Sequence, residues 1–236
     1  MPSITSVYQE LNGILDPRPD VREFYERRIA EKARVLDVGG RNHSSKSARR
    51  LRLLGANPTT EIVATDVIAD YEPDLIDDIT DTSIEPNSFD GVYCDAVLEH
   101  VTDYWAAIRN IHSILCPGGE AFIYVPFFFQ FHDNMDYHRF TVSEVARMVA
   151  SFNEAKIFLP DVGCGYGGVL WDVLTYGVIS RFPRLNAVLG SMVNRALALA
   201  VRAWYRRKPR PFTVEEAVFF YVYLNYNHGF CAWVRK

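Results

Sequence analysis

The stretch Arg34-Val35-Leu36-Asp37-Val38-Gly39-Gly40 decides how the rest of the chain is read. Val35, Leu36 and Val38 form a short apolar run of the length and composition of a buried strand, and the two glycines that end it permit a tight turn. A helix pattern begins near Ser44, so the segment reads as strand, glycine turn, helix. Downstream, Glu61 to Val67 (EIVATDV) gives a second strand, Phe89 to Cys94 (FDGVYC) a further one and Glu120 to Val125 (EAFIYV) another. Between the last two, Asp103 to Leu115 is an amphipathic helix stopped by Pro117-Gly118-Gly119. Strands that alternate with helices in this way predict parallel βαβ units and a doubly wound α/β sheet.

Upstream, the pattern gives a short helix from Tyr8 to Leu15, a break at Pro17 and Pro19, and a helix capped by Asp20 with Val21, Phe24, Tyr25 and Ile29 on one side. Downstream, Thr141 to Asn153 is a helix capped by Thr141 with Glu144 three residues on, and Ala155 to Leu159 is a strand. Gly163 to Gly168 is a glycine-rich turn. Val169 to Arg207 is helical, with Leu189, Val193, Leu197, Ala200 and Trp204 along one stripe. Two aromatic-rich strands follow Pro209 and Pro211: Ala217 to Leu224 and Phe230 to Val234, joined by a turn at Asn225 to Gly229. The expected organisation is one domain over 1–236: an N-terminal helical segment (1–33), a core (34–162), a helical insertion or lid (169–210) and closing strands (217–236).

The chain has 236 residues, 49% hydrophobic and 14% aromatic, enough for one substantial core, which excludes wholesale disorder. A net charge of −4 argues against a globally basic nucleic-acid binder. Cys94, Cys116, Cys164 and Cys231 form no CxxC pair and read as buried, reduced thiols. With no basic-then-apolar leader and no long uncharged apolar window, the expectation is a cytoplasmic protein that does not span a membrane. The charge is uneven. From Leu53 to Ile108 there is no Lys or Arg among many acids, which should attract a cation. From Val173 to Val214 there are arginines at 181, 184, 195, 202, 206, 207 and 210, Lys208, and no acid, which should attract an anion.

In an open parallel sheet the ligand site lies beyond the carboxyl ends of the strands. Gly39 and Gly40 there allow close approach of a ligand to the backbone, and the following helix N-terminus offers N–H groups to an anion. Asp66, at the end of the second strand, can accept hydrogen bonds from both hydroxyls of a ribose. The two positions fit a nucleoside-bearing cofactor. The dinucleotide fingerprint GxGxxG is missing, because Gly40 is followed by Arg41-Asn42-His43.

The run VLDVGG, then ATD at the second strand end, DDITD at Asp77 to Asp81, SFDGVYCDAVLEHV from Ser88 to Val101 and ILCPGGEAFIYVPF from Ile114 to Phe127 together resemble the class I S-adenosylmethionine-dependent methyltransferases. The resemblance covers about Ala33 to Phe152 and resumes in GFCAWVRK at the end. It implies a Rossmann-like, mostly parallel sheet of seven strands, with S-adenosyl-L-methionine as cofactor. By position it puts Asp37, Gly39 and Gly40 around the methionine part, Asp66 on the ribose, Asp78 with Ile79 beside the adenine, and Cys94, Asp95 and Ala96 near the sulfonium. Arg41 and His43 depart from the family, standing where later glycines are usual.

The segment from Pro126 to Thr141 follows the fourth methyltransferase strand and is placed by the resemblance over the transferring methyl group. His132, Asp136 and His138 are the candidates for removing a proton from an oxygen or nitrogen nucleophile. A structural hydrogen bond competes as the reading of His138, and Arg139 and Thr141 read as residues that fix the loop and cap the next helix. His132, Asp133, Asp136 and His138 match no established zinc spacing, so no metal is assigned. The basic, apolar insertion suits a phosphate-bearing acceptor or peripheral docking on an anionic membrane, or else is a helical cover with solvated arginines. The expected activity is methyl transfer to oxygen, less often nitrogen, of a small or lipid-linked acceptor such as a saccharide, with no nucleic-acid partner. The alternative is a non-catalytic protein of this fold that keeps the cofactor for regulation or assembly.

Overall fold

The computed structural model describes Leu11, residues 13–16, Arg18, and residues 21–55, 59–160, 165–175, 178–206 and 213–236. In chain order the elements are α1 (Val21–Ala30), β1 (Arg34–Val38), α2 (Lys46–Leu54), β2 (Glu61–Asp66), β3 (Leu75–Ile76), β4 (Phe89–Asp95), α3 (Tyr104–Ile114) and β5 (Leu115–Pro126). There follow α4 (Val142–Met148), β6 (Glu154–Phe158), α5 (Tyr166–Leu174), α6 (Pro183–Tyr205), α7 (Val214–Val218), which runs on as a π-helical turn through Leu224, and β7 (Gly229–Arg235). The seven strands form one sheet in the order β3-β2-β1-β4-β5-β7-β6, parallel except for β7, which is antiparallel to both neighbours. Strand order reverses between β1 and β4, where a crevice opens at the carboxyl edge.

Side chains alternate across each strand, so one strand feeds two cores. Leu36, Val92 and Ile123 pack toward Ile108 and Ile111 of α3 and Val145 of α4. Val35, Tyr93 and Phe122 pack toward Tyr25 and Ile29 of α1 and Leu51 of α2. Asp37 therefore shares the α1–α2 side with Val35. Helix starts follow side-chain chemistry: Ser45 accepts from Ala48 N, Asp103 from Ala106 N and Thr141 from Glu144 N.

Several sequence expectations need correction. Ala217 to Leu224 is helical, not a strand, so the chain closes on one strand, β7. A capping box between Thr213 and Glu216 starts this helix, and packing of Phe220, Val222 and Leu224 overrides their strand preference. Helix α3 stops at Ile114, and Pro117-Gly118-Gly119 lies inside β5 instead of ending the helix. Helix α4 ends at Met148, earlier than Asn153. Tyr166 to Gly168 belong to α5, whereas Gly163 and Cys164 lie outside the described residues. Residues 8–10 and 12 of the expected first helix, the prolines 17 and 19, the Asp20 cap and residues 207–212 also lie outside them.

Phe24 is exposed, and Glu26 is the buried residue in its place. In α6 the buried stripe is Gly190, Asn194, Ala198 and Tyr205, about a third of a turn from the one read from hydrophobicity; Ala200 and Trp204 are exposed. Small residues let α5 and α6 approach closely: a Cβ on Gly167 would lie 2.3 Å from the Gly190 carbonyl oxygen. The buried Asn194 accepts from Gly167 N at 2.7 Å. Cys94 and Cys231 are buried as expected, whereas Cys116 is only half-buried.

Candidate functional site

Register aligns Val38 of β1 with Thr65 of β2 and Cys94 of β4, so the next residues, Gly39, Asp66 and Asp95, end at one edge. Gly39 has φ +65°, and a Cβ on it would lie 2.8 Å from Val97 Cγ2, so the turn needs glycine twice over. A Cβ on Gly40 would lie 2.4 Å from Asp37 Cγ. The carboxylate of Asp37 accepts from Ser47 Oγ at 2.6 Å through Oδ2, while its buried Oδ1 has no hydrogen-bond partner. Burial pushes its pKa up to about 7, against the lowering effect of the Ser47 hydrogen bond.

Beside it lies a cavity of about 310 Å³ lined by Arg22, Lys46, Ser47, Arg50, Tyr93 and Asp95. Arg22 donates to both Glu26 (2.8 Å) and Asp95 (2.7 Å), and Arg50 donates to the second oxygen of the buried Glu26. Tyr93 Oη donates to the same two acids. Sequence reasoning placed Asp95 here but missed the three cations. A readable signal existed: Lys46 and Arg50 are four residues apart on the helix that follows the glycine turn, hence on one face.

The other expected cofactor residues fall along the same edge. Asp66 Oδ1 accepts from Ile68 N at 3.0 Å. Asp78 is exposed, with Oδ1 accepting from Thr80 N and Oγ1. Ile79 is buried, and its carbonyl accepts from Asn110. Cys94 turns its thiol into the core, where burial raises its pKa, so only its backbone reaches the edge. Ala96 takes φ +59° as the chain leaves β4. Arg41 and His43 lie in the loop between β1 and α2. Arg41 has φ +57° and stacks its guanidinium 4.5 Å from the Tyr71 ring centroid, and His43 Nε2 lies 2.9 Å from Asp74 Oδ1.

A second group gathers where the loop after β5 meets the turn Leu98–His100. The Glu99 carbonyl accepts from Tyr137 N (2.8 Å) and His138 N (3.3 Å), and His100 Nδ1 lies 3.0 Å from the Met135 carbonyl. Among the predicted catalysts, Asp136 is fully engaged: Arg139 donates to both its oxygens, and His132 N and Nδ1 each lie 3.1 Å from Oδ2. Arg139 holds this carboxyl well below the usual range, which suits orienting better than accepting a proton. His138 has a buried, unpartnered Nε2 and packs edge-on to Tyr104 at 5.0 Å. Glu99 is buried, with Oε2 lacking a partner and a pKa pushed up to about 7 by desolvation. The rings of His100 and His132 are 5.0 Å apart.

Residues 36–123 match the family model described as a methyltransferase domain. Over 105 residues the chain is 37% identical to a ubiquinone biosynthesis O-methyltransferase of Xanthomonas euvesicatoria, and 36% identical to its counterpart in Xanthomonas campestris; each match covers 39% of this chain. The chain thus spans about two fifths (42%) of the length of the curated relatives it matches. Among solved structures, a SAM-dependent methyltransferase from Archaeoglobus fulgidus superposes with TM-score 0.51 at 13% identity, covering 100% of both chains. A Haemonchus contortus phosphoethanolamine N-methyltransferase superposes with TM-score 0.50 at 14% identity, covering 98% of this chain and 56% of that one. The doubly wound sheet, the glycine turn and the matched segment define a Rossmann-like α/β domain. Within that class, the chain has the fold of S-adenosylmethionine-dependent methyltransferases, and its residues 36–123 are similar to a methyltransferase domain.

Proposed function

We propose that the protein transfers a methyl group from S-adenosyl-L-methionine to a hydroxyl oxygen of an acceptor that carries an apolar part. The observation that carries this reading is the single edge on which Gly39, Asp66 and Asp95 end beside a cavity holding three cations and an acid. An amino-acid carboxylate suits Arg22, Lys46 and Arg50, its ammonium suits Asp37 and Asp95, and Asp66 Oδ2 is left to accept from ribose hydroxyls. Asp78 and Ile79 border the adenine, and Ala96 with the backbone of Cys94 the sulfonium. The donor supplies an activated methyl group, and the protein's part is to align the acceptor oxygen with it and exclude water. His132, oriented by Asp136, stands on the acceptor side, while His138 holds the loop.

An apolar acceptor is supported by the exposed Phe128, Phe129, Phe131, Met135 and Tyr137 of the loop after β5. A lipid-borne acceptor is supported by α6, whose outward face carries Leu185, Val188, Met192 and Leu199 beside Arg184 and Arg195. Arg202 is instead paired with Glu215. Among the described residues no helix is long and apolar enough to cross a membrane, so such contact would be peripheral. Liposome flotation with anionic vesicles should retain the protein, and Arg184→Glu with Arg195→Glu should release it.

Calorimetry with S-adenosylhomocysteine tests the donor site: Asp66→Ala should weaken binding at least tenfold, and unchanged affinity removes the ribose assignment. Incubation of the enzyme with methyl-labelled donor and a cell extract should label a hydroxylated component. Tight donor binding without any labelled product favours the non-catalytic alternative.

A further inference from the structure

The turn Leu98–His100 and the loop after β5 bring together three groups with the chemistry of metal ligands. One donor atom from each of Glu99, His100 and His132 lies within 4.8 Å of the other two. The tautomers are prepared for coordination. His100 Nδ1 faces the Met135 carbonyl at 3.0 Å, and His132 Nδ1 faces the Asp136 carboxylate at 3.1 Å. Each imidazole therefore keeps Nε2 for a ligand, and His100 Nε2 is 3.9 Å from Glu99 Oε1. A histidine that donates its other N–H to a carbonyl or carboxylate is the usual outer support of a metal site. The third member is independently unusual: the Glu99 carboxylate is buried, with Oε2 unpartnered. Desolvation of that kind has to be offset by a proton or by a cation. Two further acids, Asp95 and Asp136, act on Glu99 electrostatically, and Arg139 opposes them.

We propose that Glu99, His100 and His132 bind one first-row divalent cation, Zn²⁺ or Mn²⁺, with open positions for the hydroxyl oxygen of the acceptor. Two imidazoles and one carboxylate form a ligand set suited to first-row metals and leave coordination sites free. Binding draws the donors in to the roughly 2.0–2.2 Å bond lengths such ions require. This deepens the proposed methyl transfer and rests on it for its chemical role. A hydroxyl bound to the cation loses its proton to solvent at a lower pH than a free one. The resulting metal-bound oxygen attacks the donor methyl carbon; the new C–O bond forms as the C–S bond breaks, and its electron pair remains on sulfur as the thioether. His132 then acts as a ligand held by Asp136, instead of taking the proton itself. Sequence spacing hides this set, because Glu99 and His100 precede His132 by more than thirty residues.

The test is equilibrium dialysis of the purified full chain against Mn²⁺ and Zn²⁺ with elemental analysis, and the Mn²⁺ paramagnetic resonance signal as a second readout. Near one equivalent per chain is expected, falling at least tenfold in affinity in His100→Ala and His132→Ala. Uptake below a tenth of an equivalent overturns the proposal, as does unchanged uptake in the double variant. Should His100→Ala fail to fold, His132→Ala, in an exposed loop, carries the test by itself. S-adenosylhomocysteine calorimetry on the same material separates the two readings. Donor binding without metal uptake sinks the cation site alone, metal uptake without donor binding sinks the proposed function alone, and neither sinks both.

Discussion

Two edges of the same sheet treat buried acids in opposite ways. At the amino edge of β5, Glu120 is buried and surrounded by donors: Arg28 bidentately at 2.9 and 2.6 Å, Trp233 Nε1 at 2.9 Å, with Lys32 and Arg235 alongside. Hydrogen bonds from Arg28, Trp233 and Lys32 outweigh desolvation and draw its pKa down to about 2. At the carboxyl edge, Asp37 and Glu99 are equally buried, yet each keeps an oxygen without a partner, and desolvation drives both pKa values up to about 7. The first edge is satisfied within the protein and contributes stability. The second leaves one oxygen of each acid without a partner, and perturbed acids of this kind gather where ligands act.

The contrast can be broken most readily at Glu120. Glu120→Gln should lower unfolding free energy by roughly 2–3 kcal/mol, since it strands a cluster of cations that remain partly solvated; urea unfolding at neutral pH measures it, and a loss near zero would erase the difference between the edges. Next in size, Gly39→Ala should cost about 1–2 kcal/mol through its left-handed φ and the Val97 contact, and should weaken S-adenosylhomocysteine binding as well, read by thermal melts and calorimetry together.

Asp37→Asn should do the reverse of Glu120→Gln. Stability at pH 8 should hold or rise, because no charge is forced into the interior, while donor affinity falls about tenfold, worth about 1.4 kcal/mol. A destabilised Asp37→Asn protein with intact affinity would assign that acid to the scaffold.

The comparison can also be sharpened by pH dependence, where the two edges have opposite signs. Glu120, with its folded pKa depressed, contributes stability that is present above about pH 4.5 and lost as pH falls toward 2. Asp37 and Glu99, with folded pKa values raised, contribute stability that is present below about pH 4 and lost as pH rises through 7. Unfolding curves of Glu99→Gln from pH 4 to 8 should therefore be flatter than those of the parent, and an unchanged slope would place the ionisation of Glu99 outside the stability of the fold.

Much of the carboxyl edge was legible because it is local. A strand that ends in Gly39-Gly40, and acids at the ends of the next strands, are fixed by strand period and by conformations that few other residues adopt. Asp37, Asp66 and Asp95 therefore fall where the pattern puts them. The loop after β5 was only half legible. The segment with His132, Asp136 and His138 stood out in the sequence, but the carboxylate locked by Arg139 and the burial of Glu99 depend on contacts across many residues. The helical Ala217 to Leu224 and the shifted stripe of α6 were misread for a related reason: aromatic and apolar content does not say which neighbour a face will meet.

The chain's residues, taken alone, determine an alternating parallel sheet with a glycine turn and strand-end acids at its carboxyl edge, since periodicity and turn chemistry act over a few residues. Only the folded arrangement decides that Arg22, Lys46 and Arg50 line one cavity, and that Glu99, His100 and His132 converge. Burial and mutual distance are properties of elements packed together, and no local pattern encodes them.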